Sequence, residues 1–329
     1  MLNHLRDSAT PRQLEYMDAV ATHGSNRKAA LALGVNKSTV DKAMKSAEKA
    51  ARPDTTSSKK ILVLPDVQAK PGTDFSYLRR IGKYVVEKQP ATLVCIGDFA
   101  DMPSLSSYDK GKKSFEGRRY KRDIEAAQFA MQALLGPLDE YNKTAKKQYK
   151  PRMVFTLGNH EHRISRATEN DAMLDGVLSI KDLALTEYGW EVIPFLEVIV
   201  IEGIAFSHYF TTGVMGRPAG TAQAQLRKTN MSCFAGHQQG KQITYGSRAD
   251  GRTITSIISG SCYEHDENFM GPQGNKHWRG FWMLNDCADG CFDEMPVSIA
   301  YVNQKYPGER YETPAYSMPT EQEIQAGKC

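Results

Sequence analysis

Apolar residues along this chain fall into two regimes. In the first 50 residues they recur at helical spacing: Leu14, Met17 and Ala21 with Val20 beside them, then Ala29, Ala30 and Leu33. Pro11 suits a first helical turn, and Gly24 ends that helix. A second helix is predicted from Asn26 to Leu33 and a tight turn at Gly34-Val35-Asn36. A third is expected from Ser38-Thr39-Val40 to about Ala50. From residue 60 onward, short apolar runs alternate with longer amphipathic ones. Strands are expected at 60–64, 92–96 and 152–157, with helices at about 73–88 and 121–141 between them. That alternation predicts βαβ units and a largely parallel first sheet. Beyond 190 the runs are short and β-like, at 191–193, 197–201, 204–207, 232–235, 241–245, 253–258, 281–285 and 295–301. They read as a second, mixed sheet packed on the first. The fold class is therefore α/β, two sheets flanked by helices, with a small all-α domain in front.

Composition sets the boundaries. Residues 1–50 form the helical domain, and Ala51 to Lys60 (ARPDTTSSKK) is a polar linker. The α/β domain follows at 61–302. Residues 303–329, with Pro307, Pro314 and Pro319, read as an extended C-terminal tail. A chain of 329 residues can bury a core without staples. Its six cysteines form no C-x-x-C pair, which fits reduced thiols in a cytosolic protein. The first residues hold no apolar signal core and no run approaches a membrane span, so no membrane partner is expected and the expected location is cytoplasmic. Oligomeric state is left open. The net charge of +4 is unevenly spread: residues 1–60 carry +5 and the remainder −1. Polyanion binding is thus expected first at the N-terminus.

A short helix, a Gly-led turn and a basic third helix make a helix-turn-helix layout. The stretch from Asn26 to Val40 (NRKAALALGVNKSTV) closely resembles helix-turn-helix regulators. The resemblance implies DNA as a partner, with Lys37, Ser38, Lys42, Lys45 and Lys49 offered to bases and phosphates. A helical hairpin used for packing or oligomerisation is the alternative.

Five segments, each after an apolar run, carry metal-binding side chains. They are Pro65-Asp66-Val67-Gln68, Gly97-Asp98-Phe99-Ala100-Asp101, Gly158-Asn159-His160-Glu161, Ser207-His208 and Gly236-His237-Gln238-Gln239. Open α/β sheets present ligands in this way, at the carboxyl edge of the strands. Asp, Asn and His together suit Mn, Fe, Zn or Mg, and the set reads as a metal-assisted phosphoester hydrolase. Asp101 is expected to orient a neighbour or form a turn. His162, His265 and His277 are expected to be structural or surface groups.

The order of these segments resembles the calcineurin-like metallophosphoesterases over roughly residues 60–300, where it runs D-x-H, G-D-x-x-D, G-N-H-E/D, a lone H, then G-H-x-H. The resemblance implies a two-sheet metallophosphoesterase sandwich. It also implies that Asp98 bridges two ions, with Asn159, His208 and His237 completing one site. Asp66, Asp98 and the residues at 68 and 239 would form the other. Here those two positions are Gln68 and Gln239 in place of His, and a Gln carbonyl is a poorer ligand than imidazole for Zn or Fe. The expected cofactor is accordingly a divalent ion, Mn2+ before Mg2+, Fe2+ or Zn2+, with one tight site and one weaker one. The resemblance makes His160 the group facing the substrate phosphate, and Asp66 the second catalytic residue. A scaffold that has lost catalysis is the contrasting reading.

The segment after Asp98 bears on the substrate. From Lys110 to Arg122 seven of thirteen residues are basic, including Lys112, Lys113, Arg118, Arg119 and Lys121, with Phe115 and Tyr120 interleaved. Basic groups track phosphates and aromatic rings stack on bases. A solvated lid is the plainer reading. Together with the helical domain, the loop points to a DNA nuclease. The alternatives are a small-molecule phosphodiesterase or phosphatase, and a DNA-binding regulator with a degenerate phosphoesterase domain. A helix-turn-helix fused to a phosphoesterase is also similar to proteins encoded by tailed phages, which would place it in the host cytoplasm.

Overall fold

The computed structural model describes residues 10–51, with side chains to 46, then 59–267 and 270–314. The chain divides into two units, Met1–Ser58 and Lys59–Cys329. Most of the expected linker and the end of the expected tail lie outside the described residues, as does the Lys49 side chain.

The first unit holds three helices, α1 (Pro11–His23), α2 (Asn26–Ala32) and α3 (Lys37–Ala51). Thr10 and Gln13 close a capping box at the start of α1, and Gly24 ends it at a φ of 77°. Tyr16, Met17, Ala30, Val40 and Met44 pack into a small core. Ala21, expected inward, is exposed, and Tyr16 takes the buried place one turn earlier. Ser38, Lys42 and Lys45 are exposed on α3. Lys37 also faces solvent and lies 3.6 Å from Asp41.

The second unit is an α/β assembly with two mixed sheets. Its first half runs β1 (Ile61–Leu64), α4 (Ser76–Lys88), β2 (Thr92–Cys95), α5 (Tyr120–Thr144), β3 (Arg152–Thr156), α6 (His162–Asn170) and β4 (Glu191–Ile193). There follow β5 (Ile199–Ile201), β6 (Ile204–Phe206), β7 (Thr211–Thr212), β8 (Arg217–Pro218), α7 (Ala222–Thr229) and β9 (Cys233–Ala235). The remainder is β10 (Lys241–Ser247), β11 (Thr253–Ser259), α8 (Gly271–Gly274), β12 (Gly280–Ala288), β13 (Cys291–Ser298) and α9 (Ile299–Lys305).

The larger sheet has the order β13-β12-β1-β2-β3-β4 and the smaller β10-β11-β9-β6-β5. Strands β1 to β4 run parallel, as the βαβ spacing predicts. The late strands do not all join the second sheet. β4 extends the first sheet beside β3, and β12 pairs antiparallel with β1 and carries β13 with it. The physical reason lies in β12 itself: Gly280-Phe281-Trp282-Met283-Leu284 is buried throughout, as a strand inside a covered sheet must be.

Alternation along β1 builds two cores at once. Leu62 and Leu64 face a helix-side core with Leu78, Ile81 and Leu134, while Ile61 and Val63 meet Phe206, Phe234 and Ile257 of the second sheet. Trp282 pins the sheets together by donating its indole N–H to Ser259 O at 2.8 Å. After α9, residues 306–314 lie along the helix layer, where Glu309 pairs with Arg79 at 2.8 Å and Tyr311 N–H donates to Ser76 Oγ. Among the described residues no helix is long and apolar enough to cross a membrane.

Candidate metal centre

Parallel strands set the site. Asp66 follows β1, Asp98 follows β2, Asn159 and His160 follow β3, His208 follows β6, and His237 and Gln239 follow β9. All are carboxyl ends, and the first three strands are parallel neighbours, as are β6 and β9. Two glycines make the convergence possible. A Cβ at Gly158 would fall 2.2 Å from the Asp98 carboxylate, and one at Gly236 would fall 2.3 Å from Asp66 Oδ1.

Asp98, His208 and His237 bring donor atoms within 4.8 Å of one another. Asn159 Oδ1 stands between the two imidazoles, 2.9 Å from His208 Nε2 and 2.7 Å from His237 Nδ1. His208 Nε2 is 3.2 Å from Asp98 Oδ2. Ligand atoms around an ion with bonds of about 2.1 Å are spaced about 3 Å along a polyhedral edge, so these separations fit a divalent ion. His208 is oriented for it: Nδ1–H donates to Ile96 O at 2.8 Å and leaves Nε2 pointing at the carboxylate and the amide. Burial opposes charge on His208, but Asp98 outweighs it and pushes the imidazole up to about 9. Burial, then His208, pushes His237 down to about 4.

His160 is fixed on both sides. Its Nδ1–H donates to Asp101 O and Oδ1, both at 2.9 Å, and Arg163 Nη2 donates to Nε2 at 3.0 Å. Its backbone N–H donates to Asp98 Oδ1 at 2.9 Å. Asp101 therefore orients His160, and does not join the donor cluster. Glu161 is wholly buried and braces the loops: its carboxylate accepts from the backbone N–H groups of Asp98, Ala100 and Gly158 at 2.8–2.9 Å. Its place beside His160 in the third motif was the only signal of that role.

Asp66 and the two glutamines lie next to this cluster, outside the trio of donors. Asp66 is fully buried and both its oxygens accept from His237 N–H, at 3.1 and 3.0 Å. Burial and then Asp98 push its carboxyl up to about 7. Gln239 Oε1 accepts the hydroxyl proton of Tyr263. Four of these residues occupy the left-handed region without being glycine: Gln68 at φ 47°, Asp98 at 49°, His237 at 67° and Gln239 at 57°. Each such conformation costs on the order of 1 kcal/mol, and such strain collects at functional sites.

Gln68, Gln239 and His160 open into a cleft of about 850 Å³. Lys112, Arg118, Arg119 and Arg122 of the basic loop line it, together with Lys70 and Arg163. Lys113 and Lys121 are exposed away from the lining. Six acidic residues share the wall, Asp101, Asp109, Glu116, Asp123, Asp266 and Glu267, so the cleft is formally balanced in charge. Arg118 is a brace for the loop: it pairs with Asp109 at 2.8 Å, donates to Pro103 O and Ser114 O, and covers the Phe115 ring. Tyr120 donates to Asp182 at 2.6 Å. The interleaved aromatics are thus committed within the fold, because loop closure uses them first. The ring that stands open at the cleft is Tyr108, 81% exposed, which the sequence pattern passed over.

His162, His265 and His277 have structural partners. His162 stacks on Phe195 with ring centres 4.7 Å apart. His265 pairs with Glu267, and His277 bonds Ser261 and Gly274 O.

No family model matches the chain. It is 28% identical over 213 residues to the Gene 54 protein of Mycobacterium phage L5, across 62% of this chain and 79% of that protein. A solved crystal structure aligns with 73% of this chain and all of its own at 12% identity and a TM-score of 0.35.

Proposed function

We propose that the chain is a metal-dependent phosphodiesterase of the calcineurin-like kind, acting on nucleic acid as a DNA nuclease. The observation that carries this reading is the meeting of Asp98, Asn159, His208 and His237 at the carboxyl ends of parallel strands. The order of the five motifs supports it.

Asp98, Asn159, His208 and His237 would hold one ion tightly, with Mn2+ the first candidate for this mixed oxygen and nitrogen set. Such an ion supplies Lewis acidity at a phosphoryl oxygen. The side chains do the rest. Asp101 accepts the His160 Nδ1–H, so Nε2, once protonated, is the ring atom left to donate to an oxygen of the substrate, in place of Arg163. Arg163 then has N–H groups free for the phosphate. Asp66 fixes the turn at His237 and can take up a proton at a site that water reaches poorly.

Phosphate tracking by Lys112, Arg119 and Arg122 and targeting by Lys37, Ser38, Lys42 and Lys45 complete the nuclease reading. One observation favours a compact substrate instead: the acidic residues in the cleft wall balance the basic ones, where a long polyanion prefers net positive charge. Purified protein with Mn2+ should cleave DNA and a small aryl phosphodiester, and Asp98→Asn should lower both rates at least a hundredfold. Hydrolysis of the small diester without DNA cleavage would select the compact substrate. No hydrolysis of either would leave the regulator reading.

A further inference from the structure

Two glutamines stand where the motif pattern has imidazoles, and their surroundings say what they do. A second ion beside the first would need Asp66, Asp98 and carbonyl oxygens from Gln68 and Gln239. The Gln239 carbonyl is engaged, because the Tyr263 hydroxyl directs its proton at Oε1. A cation there would share that oxygen with the positive end of an O–H bond. The amide has one acceptor atom and two N–H donors, so what Gln239 has left to offer is its NH2 group. Asp66 is engaged as well, by the His237 N–H at 3.1 and 3.0 Å. Among the described residues the carboxylate, thiol and imidazole groups that close on one point are Asp98, His208 and His237, without Asp66.

The cleft beside that trio is lined by donor groups of Gln68, Gln239, Arg163 and Lys70, alongside the acidic residues of its wall. Lys70 is held by Glu267 at 2.6 Å and Arg163 by the Asp101 carbonyl at 2.7 Å. Gln68 is placed against the neighbouring ligand loop by its backbone N–H, which donates to Asp98 O at 2.8 Å. Both glutamines are buried, at 2% and 8% exposure, and both line the cleft.

We propose that the centre takes one metal ion, and that Gln68 and Gln239 form an amide clamp for a phosphoryl oxygen where a second ion would otherwise sit. The inference rests on the metal-dependent reading above and changes what the second half of the site does. In this arrangement a bound ion would supply Lewis acidity at one oxygen of the phosphate, and the neutral amide N–H groups of Gln68 and Gln239 would hold another. Amide donors bind an anion without the charge of a second cation, and Tyr263 sets which end of Gln239 faces it.

The test uses the full chain and two probes, Mn2+ and inorganic phosphate. Metal analysis and Mn2+ spin resonance should give one ion per chain with an uncoupled signal. Calorimetry on the Mn2+-loaded protein should show phosphate binding that weakens about tenfold in Gln68→Leu and in Gln239→Leu, as expected for lost hydrogen bonds to a charged group. Mn2+ stoichiometry and affinity should stay as in the parent. Gln239→Glu keeps the size of the side chain and should lose phosphate while gaining a second Mn2+. Two ions in the parent, falling to one in the leucine variants, would make the glutamines ligands and overturn the clamp. One ion with unchanged phosphate affinity would overturn it too. Failure to bind any Mn2+ would instead remove the metal centre itself.

Discussion

Asp123 shows at the level of one residue what the cleft wall does to an acid. It is 1% exposed and accepts the Ser104 N–H at 2.8 Å. Burial pushes its carboxyl up to about 6, with Asp101 adding to the effect and Arg118 opposing it. In an unfolded chain the same group titrates near 4. Below about pH 4 both states hold the proton and the group costs nothing. As pH rises toward 6 the unfolded state releases the proton first, so stability falls, and the loss is complete above the folded value. Asp123→Asn should therefore be more stable than the parent at pH 7.5 by about 2 kcal/mol, with the gap closing near pH 4. Thermal unfolding at the two pH values measures it. The donor residues themselves were legible from sequence, because Gly-Asp and Gly-Asn-His after apolar runs are local patterns. Tyr263 and Tyr108 were not, since each reaches the site through contacts that only the tertiary fold creates.

Helices α4 and α5 approach closely at Gly82 of α4. A Cβ there would stand 2.2 Å from the Leu134 carbonyl oxygen and 3.0 Å from the Pro137 ring of α5. The neighbouring atom is backbone and cannot swing aside. Gly82→Ala should destabilise the protein by about 1–3 kcal/mol and lower its melting temperature, despite alanine's higher helix propensity. An unchanged or higher melting temperature would show that the two helices separate freely. The first three strands and the helices between them were readable in the sequence to within a few residues because their apolar periods are clean, whereas α6, α7 and α9 were not. Sheet membership was not. A buried run such as Phe281-Trp282-Met283-Leu284 states that both faces are covered, but carries no record of which strand it will pair with.

At the scale of the whole molecule, the chain divides into two units. The excess positive charge lies in the first 60 residues, and α3 exposes Ser38, Lys42 and Lys45. If that helix contacts phosphates, Lys42→Glu together with Lys45→Glu should weaken DNA binding at least tenfold. It should also reduce the salt dependence of log affinity by about 2. Hydrolysis of a small diester should be unchanged. Equal DNA affinity in parent and variant would assign the helices to another partner. The first unit's helices could be read directly, since capping residues and a glycine turn write them into the sequence.

Glu161 has a consequence for motion. Its buried carboxylate ties the amides of Asp98, Ala100 and Gly158, which belong to two loops and to no strand or helix. Loop amides ordinarily trade their hydrogens with water through small local openings. These three can open only by pulling a carboxylate out of the protein interior, which separates β2 from β3 at their ends. Their hydrogen exchange should accordingly be as slow as that of the central strand β1, and Glu161→Gln should release them to rates typical of loops. The chain would then hold its ligand loops as rigidly as its sheet, even before anything binds.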